Sequence, residues 1–159
     1  MFRSLEKIRD LLKATFGNSF VDYIIDDPNL VPLSQLPCIC VVPVSTSIDI
    51  ADNQRDIFTH IIDVIIIIDA KQELVKYKKE MIGTQFLTEK MESRNSSGTL
   101  MSNTILYVLR SNLSLGSNWY INNISNINYS LKLRGSTPNQ FVTKESSCRL
   151  EIIEIGNRT

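Results

Sequence analysis

Apolar positions along this chain change their period several times, and each change predicts an element. In residues 2 to 16, Phe2, Leu5, Ile8, Leu12 and Phe16 recur every three or four positions, with Arg3, Lys7, Arg9, Asp10 and Lys13 opposite. That spacing predicts an amphipathic helix, stopped at Gly17-Asn18. Residues 21 to 37 carry Val21, Tyr23, Ile24 and Ile25, then Asp26-Asp27-Pro28, Pro32 and Pro37, so an irregular connection is expected. Residues 38 to 42 are a short apolar run closed by Pro43, the size of a buried strand. From 45 to 55 the chain is rich in Ser, Thr, Asp and Asn, which reads as a loop.

The strongest signal is residues 57 to 68. Strand geometry puts Phe58, His60, Ile62, Val64, Ile66 and Ile68 on one face, and Ile57, Thr59, Ile61, Asp63, Ile65 and Ile67 on the other. Both faces are mostly apolar, as expected of a strand covered on both sides, or covered on one side and used as a subunit interface on the other. A helix is expected over residues 71 to 91, with Leu74, Val75, Lys78, Ile82 and Phe86 as its stripe, and a second over 99 to 113 through Leu100, Ile105, Val108 and Leu109. Asn95-Ser96-Ser97-Gly98 is the turn between them. Beyond Gly116 the pattern alternates: Trp119 and Ile121, then Ile127, Tyr129, Leu131 and Leu133 against polar neighbours, predicting strands with one wet face. A turn over residues 135 to 139 leads to a last strand at about 146 to 155. The expected architecture is α+β: a single mixed or antiparallel β-sheet, with an N-terminal helix and a helical pair packed on one face, all in one domain over residues 1–159.

Composition narrows the functional classes. Seventeen Lys and Arg balance seventeen Asp and Glu, so no net field draws the chain to nucleic acid. The longest uninterrupted apolar run, Val64 to Ile68, is far short of the ~20 residues that cross a bilayer, and no membrane association is expected. Cys38, Cys40 and Cys148 are an odd set, and charged residues from Arg3 to Asp10 interrupt the start of the chain. Free thiols in an intracellular protein are the expectation. Cys38 and Cys40 share a strand face, where small buried thiols are common.

No catalytic apparatus emerges. His60 is the only histidine and sits in an apolar strand face, where a hydrogen-bonded core histidine is favoured over a catalytic base. Asp63 and Asp69 share a face but stand ~20 Å apart, too far to bind one metal ion. Asp26-Asp27-Pro28 reads as a turn. The scattered glycines form no phosphate loop, and Glu73 and Glu80 neutralise Lys76, Lys78 and Lys79. No enzyme activity, cofactor or metal is expected.

An N-terminal helix, the proline-bordered run Leu36-Pro37-Cys38-Ile39-Cys40-Val41-Val42-Pro43, a polar loop ending Asn53-Gln54-Arg55, a long strand ending Ile68-Asp69, a helical pair and closing strands together resemble the tail terminator proteins of long-tailed bacteriophages, of the siphophage type. The resemblance spans nearly the whole chain and rests on element order more than on motifs. It implies a virion protein at the head-tail junction, assembled in the host cytoplasm. Copies would form a hexameric ring that caps the tail tube protein, ends its polymerisation and meets the head completion or connector protein, with DNA passing through unbound. Two loops, 45 to 56 and 135 to 144, are candidates to project along the ring axis. Asp49, Asp52, Asn53 and Arg55 are candidate residues of an intersubunit or tube-facing loop, or else an ordinary surface loop. The alternatives are a small adaptor or regulatory domain that binds a protein by its strand edge, another head-tail connector protein, and a metal-dependent hydrolase using scattered Asp residues.

Overall fold

A computed structural model describes residues 2–71 and 82–157. Five strands form one mixed sheet in the order β1-β2-β3-β5-β4: β1 Asp22–Ile24, β2 Cys38–Ile50, β3 Arg55–Asp69, β4 Trp119–Arg134 and β5 Phe141–Asn157. β1 pairs parallel with β2, and every other pairing is antiparallel. Among the described residues three α-helices accompany the sheet: α1 Phe2–Phe16, α2 Ile82–Met91 and α3 Ile105–Ser111. The α+β class and the single mixed sheet match expectation, and the isoleucine strand is its centre.

One core binds the helices to one side of the sheet. Leu5, Ile8, Leu12 and Phe16 of α1, Leu87 and Met91 of α2, and Ile105, Leu106, Val108 and Leu109 of α3 pack on Ile62, Val64, Ile66 and Ile68 of β3 and on Cys148, Leu150 and Ile152 of β5. Phe2, expected on the apolar stripe, is exposed, and the buried stripe of α1 starts at Ser4 and Leu5. On the far side of the sheet a smaller core of Cys38, Cys40 and Ile67 lies under Val31 and Leu36, supplied by the 3-10 turns Pro28–Leu30 and Leu33–Gln35 and their flanks. Asp27 starts the first of these by accepting from the Asn29 amide, so Asp26-Asp27-Pro28 is the turn expected.

Several boundaries differ from expectation. Residues 45 to 50 are strand: β2 passes Pro43 through a bulge and runs on to Ile50, paired with β3 as far as Asp56. Only residues 51 to 54 turn the chain, closed by the Ala51 and Asp52 amides donating to the Arg55 carbonyl. Backbone pairing with β3 made this strand, so it needed no apolar alternation. β1 forms inside the stretch expected to be irregular. The three closing strands are two, because β4 continues through shifts at Ile121/Asn123 and Ser125/Asn128, and β5 begins at Phe141. Thus only residues 135 to 140 of the second candidate loop leave the sheet. The helix expected over 99 to 113 is shortened to α3, whose Thr104 hydroxyl caps it by accepting from the Tyr107 amide. Of the helix expected over 71 to 91, α2 is the last part, and residues 72–81 lie outside the described residues.

Candidate interaction surface

The two faces of β3 have different fates. Its helix-side residues from His60 to Ile68 are buried, whereas Ile57, Thr59, Ile61, Asp63 and Ile65 on the far side are half-buried. Register extends that far face across the sheet: Ile57 lies opposite Ile155, Thr59 opposite Ile153, Ile153 opposite Tyr120, and Asp63 opposite Arg149. Ile57, Ile61, Ile153 and Ile155 belong to neither core. Together with exposed Tyr120 they form an apolar field on the half of the sheet nearer the 51–54 turn. Arg149 Nε and Nη2 donate to the two Asp63 oxygens at 2.8 and 2.9 Å, a fork that keeps the guanidinium protonated. Asn122 donates to Glu151 on the same side. Asp63 is therefore engaged by an arginine, and Asp69 by the Lys71 amide, so the two do not act together.

The four candidate interface residues come together at the hairpin end. Asp52 accepts from the Gln54 amide and from Arg55 Nε at 2.8 Å, and Asn53 is exposed between them. The Gln54 amide first, then the Arg55 guanidinium, hold the Asp52 carboxyl below the usual carboxylate range. Asp49 stands back along β2, exposed opposite Ile57. Rather than a loop throughout, these residues form a hydrogen-bonded turn and the strand leading into it.

His60 is buried on the helix side of the hairpin. Its Nε2 donates to Glu154 Oε2 at 2.9 Å, since an ionised carboxylate can only accept. Its Nδ1 lies 3.0 Å from the Thr46 hydroxyl and its ring stacks on Phe58. A hydrogen-bonded structural histidine tying β2, β3 and β5 together is what the residue provides. Cys38 and Cys40 sulfurs lie 3.9 Å apart in the small core, and all three thiols are buried and unpaired by disulfides. The hydrogen bond with Cys40 and burial push Cys38 up, and burial pushes Cys148 up to about 12.

Sequence reasoning missed the strongest polar anchor. Arg134 ends β4 buried and donates from Nε and Nη2 to the buried Glu145 carboxylate at 2.7 Å, and from Nη1 to Asn29. Thr143 also donates to Glu145. A lone Arg before a Gly-containing turn carried no signal of this pairing. Beside it a groove of about 860 Å³ separates the 28–36 connection from the β4–β5 turn, lined by Leu30, Leu33, Pro138 and Phe141 among others. Among the described residues no three His, Cys, Asp or Glu side chains gather as metal ligands, and no helix is long and apolar enough to cross a membrane. No protein-family model matches the chain, and no curated protein matches it in sequence.

Proposed function

We propose that this protein is a structural assembly subunit of the tail-terminator type, whose copies form a ring that caps a phage tail tube, ends its polymerisation and offers a joining surface to the head connector. One observation carries the reading: the central strand is buried by helices on one side, while on the other Ile57, Ile61, Ile153 and Ile155 form an apolar field with no covering layer among the described residues. Contiguous apolar surface of this kind is what a subunit interface uses. The balance of seventeen basic and seventeen acidic residues suits a passage through which DNA must slide, because phosphate attraction would hold it. A specific second reading, an adaptor that takes a partner's strand along a sheet edge, is favoured by the exposed outer edge of β2 beyond Cys40.

Light scattering on the full chain tests the ring. The expected outcome is a concentration-independent mass near six subunits, with annular particles by electron microscopy. Ile61→Asp or Ile153→Asp should weaken docking of the assembly on the tube protein while leaving the far-ultraviolet circular dichroism intact. A strictly monomeric protein at high concentration rejects the ring, and a monomer that captures an extended peptide favours the adaptor.

A further inference from the structure

Among the described residues the sheet has two edge stretches with no partner strand, and their side chains match. On one edge β1 pairs β2 only from Cys38 to Cys40, so residues 45 to 50 offer an outer edge without proline or lysine. On the other, β4 is bulged up to Asn128, and residues 128 to 134 then run regularly against β5. Bulges, proline and lysine are the usual protections of an edge, and the first of these segments has none. The second carries a single lysine, Lys132.

Side-chain placement makes the two segments complementary. Ile48 and Ile50 stand on the helix side of β2, 62% and 73% exposed, and Leu131 and Leu133 stand on the helix side of β4, 65% and 59% exposed. These four exposed aliphatic side chains alternate along two edges. The far-side residue between the first pair is acidic, Asp49, and between the second pair is basic, Lys132. The strands also run in opposite senses, because three antiparallel pairings separate β2 from β4. Copies placed side by side in one orientation therefore continue the antiparallel pattern without reversal.

We infer that residues 47 to 50 of one copy add to residues 131 to 134 of the next, with Ile48 opposite Leu133, Asp49 opposite Lys132 and Ile50 opposite Leu131. This register places all four aliphatic side chains on one face and the opposite charges on the other. Shifting it by one residue would set aliphatic against charged positions. Both edges are satisfied at once by a head-to-tail joint, whereas a two-fold joint through β2 alone leaves the β4 edge without a partner strand; Lys132, 4.0 Å from Glu145 within its own chain, would gain Asp49 as a second acidic neighbour. Ile50 lies in the row of Asp56 and Leu131 in the row of Ile68, so neighbouring copies are offset by ~40 Å along the strands and overlap by their ends. The inference rests on the reading of this protein as a self-assembling subunit and supplies the joint for it.

Cysteine pairing tests the joint on the full chain. Directly opposed residues in an antiparallel pair lie within the span a disulfide bridges, and the native thiols are buried. Under mild oxidation the double variant Asp49→Cys/Lys132→Cys should give a ladder of linked dimers, trimers and larger species, with neither single variant doing so. Asp49→Lys alone should raise the concentration at which assembly is half complete by roughly tenfold, the effect of setting like charges opposite each other. A ladder that stops at a closed species supports both joint and ring. One that grows without limit supports the joint and overturns the ring. Assembly to unchanged mass with no linkage in the double variant overturns the joint while the ring stands, as does dimerisation of Asp49→Cys alone, which would place two β2 edges together. A monomer at every concentration overturns both.

Discussion

At the residue scale, buried charge separates Arg134–Glu145 from Arg149–Asp63. Both are forked arginine–carboxylate pairs, but the first is buried and the second half-exposed. Glu145→Gln leaves the Arg134 guanidinium buried without its counter-charge and should destabilise the fold by about 3–5 kcal/mol in urea denaturation. Asp63→Asn should lower stability by no more than about 1 kcal/mol, since water screens that pair. Among the described residues the Ser4 and Ser146 hydroxyls are buried without a hydrogen-bond partner. Replacing either by Ala should leave stability unchanged or raise it, because a desolvated hydroxyl is removed and no bond is lost. The Cys148 thiol, pushed up to about 12 by burial and then by Asp63, sets an alkaline limit. A raised folded value favours the protonated native state, so its contribution is complete below the unfolded thiol value of about 8.5 and is lost progressively as pH rises towards about 12. Urea midpoints measured from pH 8 to 10.5 should fall, and less steeply in Cys148→Ala.

At the element scale, the β4–β5 turn depends on Gly135. Its φ is +83°, and a Cβ there would meet the Asn139 carbonyl oxygen at 2.5 Å. Gly135→Ala should therefore lower the thermal midpoint by several degrees, a loss of about 1–3 kcal/mol, whereas Gly98→Ala, with the same sign of φ but open space around it, should cost about 1 kcal/mol. The opposite hairpin was legible in the sequence only in its inner half. Residues 57 to 68 announce themselves because both faces need apolar side chains, while residues 45 to 50 look like a loop. At the sheet edge, beyond the helices, hydrogen bonds to β3 select the strand, and side-chain burial imposes no pattern. The same reasoning explains β4, whose Leu131 and Leu133 alternate as if for a core yet stand exposed.

At the scale of the whole molecule, one layer of helices covers one side of a sheet whose long strands run beyond it. Among the described residues that leaves an apolar field on the far side and two edge stretches without a partner strand, and the proposed function and the proposed joint each use one of these surfaces. They are separable in solution: a change at Ile61 or Ile153 probes the face, and a change at Asp49 or Lys132 probes the edges. If the edges form the joint and the face meets the tube, the edge variants should lose ring mass, and the face variants should keep it and lose binding to the tube protein, read by sedimentation of the mixed components.

Periodicity alone determined that this chain would form an N-terminal helix and a central isoleucine strand in an α+β fold, because those patterns answer to burial that any packed arrangement would have to provide. The type of a long, strongly patterned element is a local property. Which face of β3 meets the helices is not, since both faces are nearly equally apolar and only the tertiary arrangement breaks the tie. Nor is the pairing of His60 with Glu154, 94 residues away, or of Arg134 with Glu145 and Asn29. Those contacts depend on strand order, and strand order is decided by the way the whole sheet closes over its core.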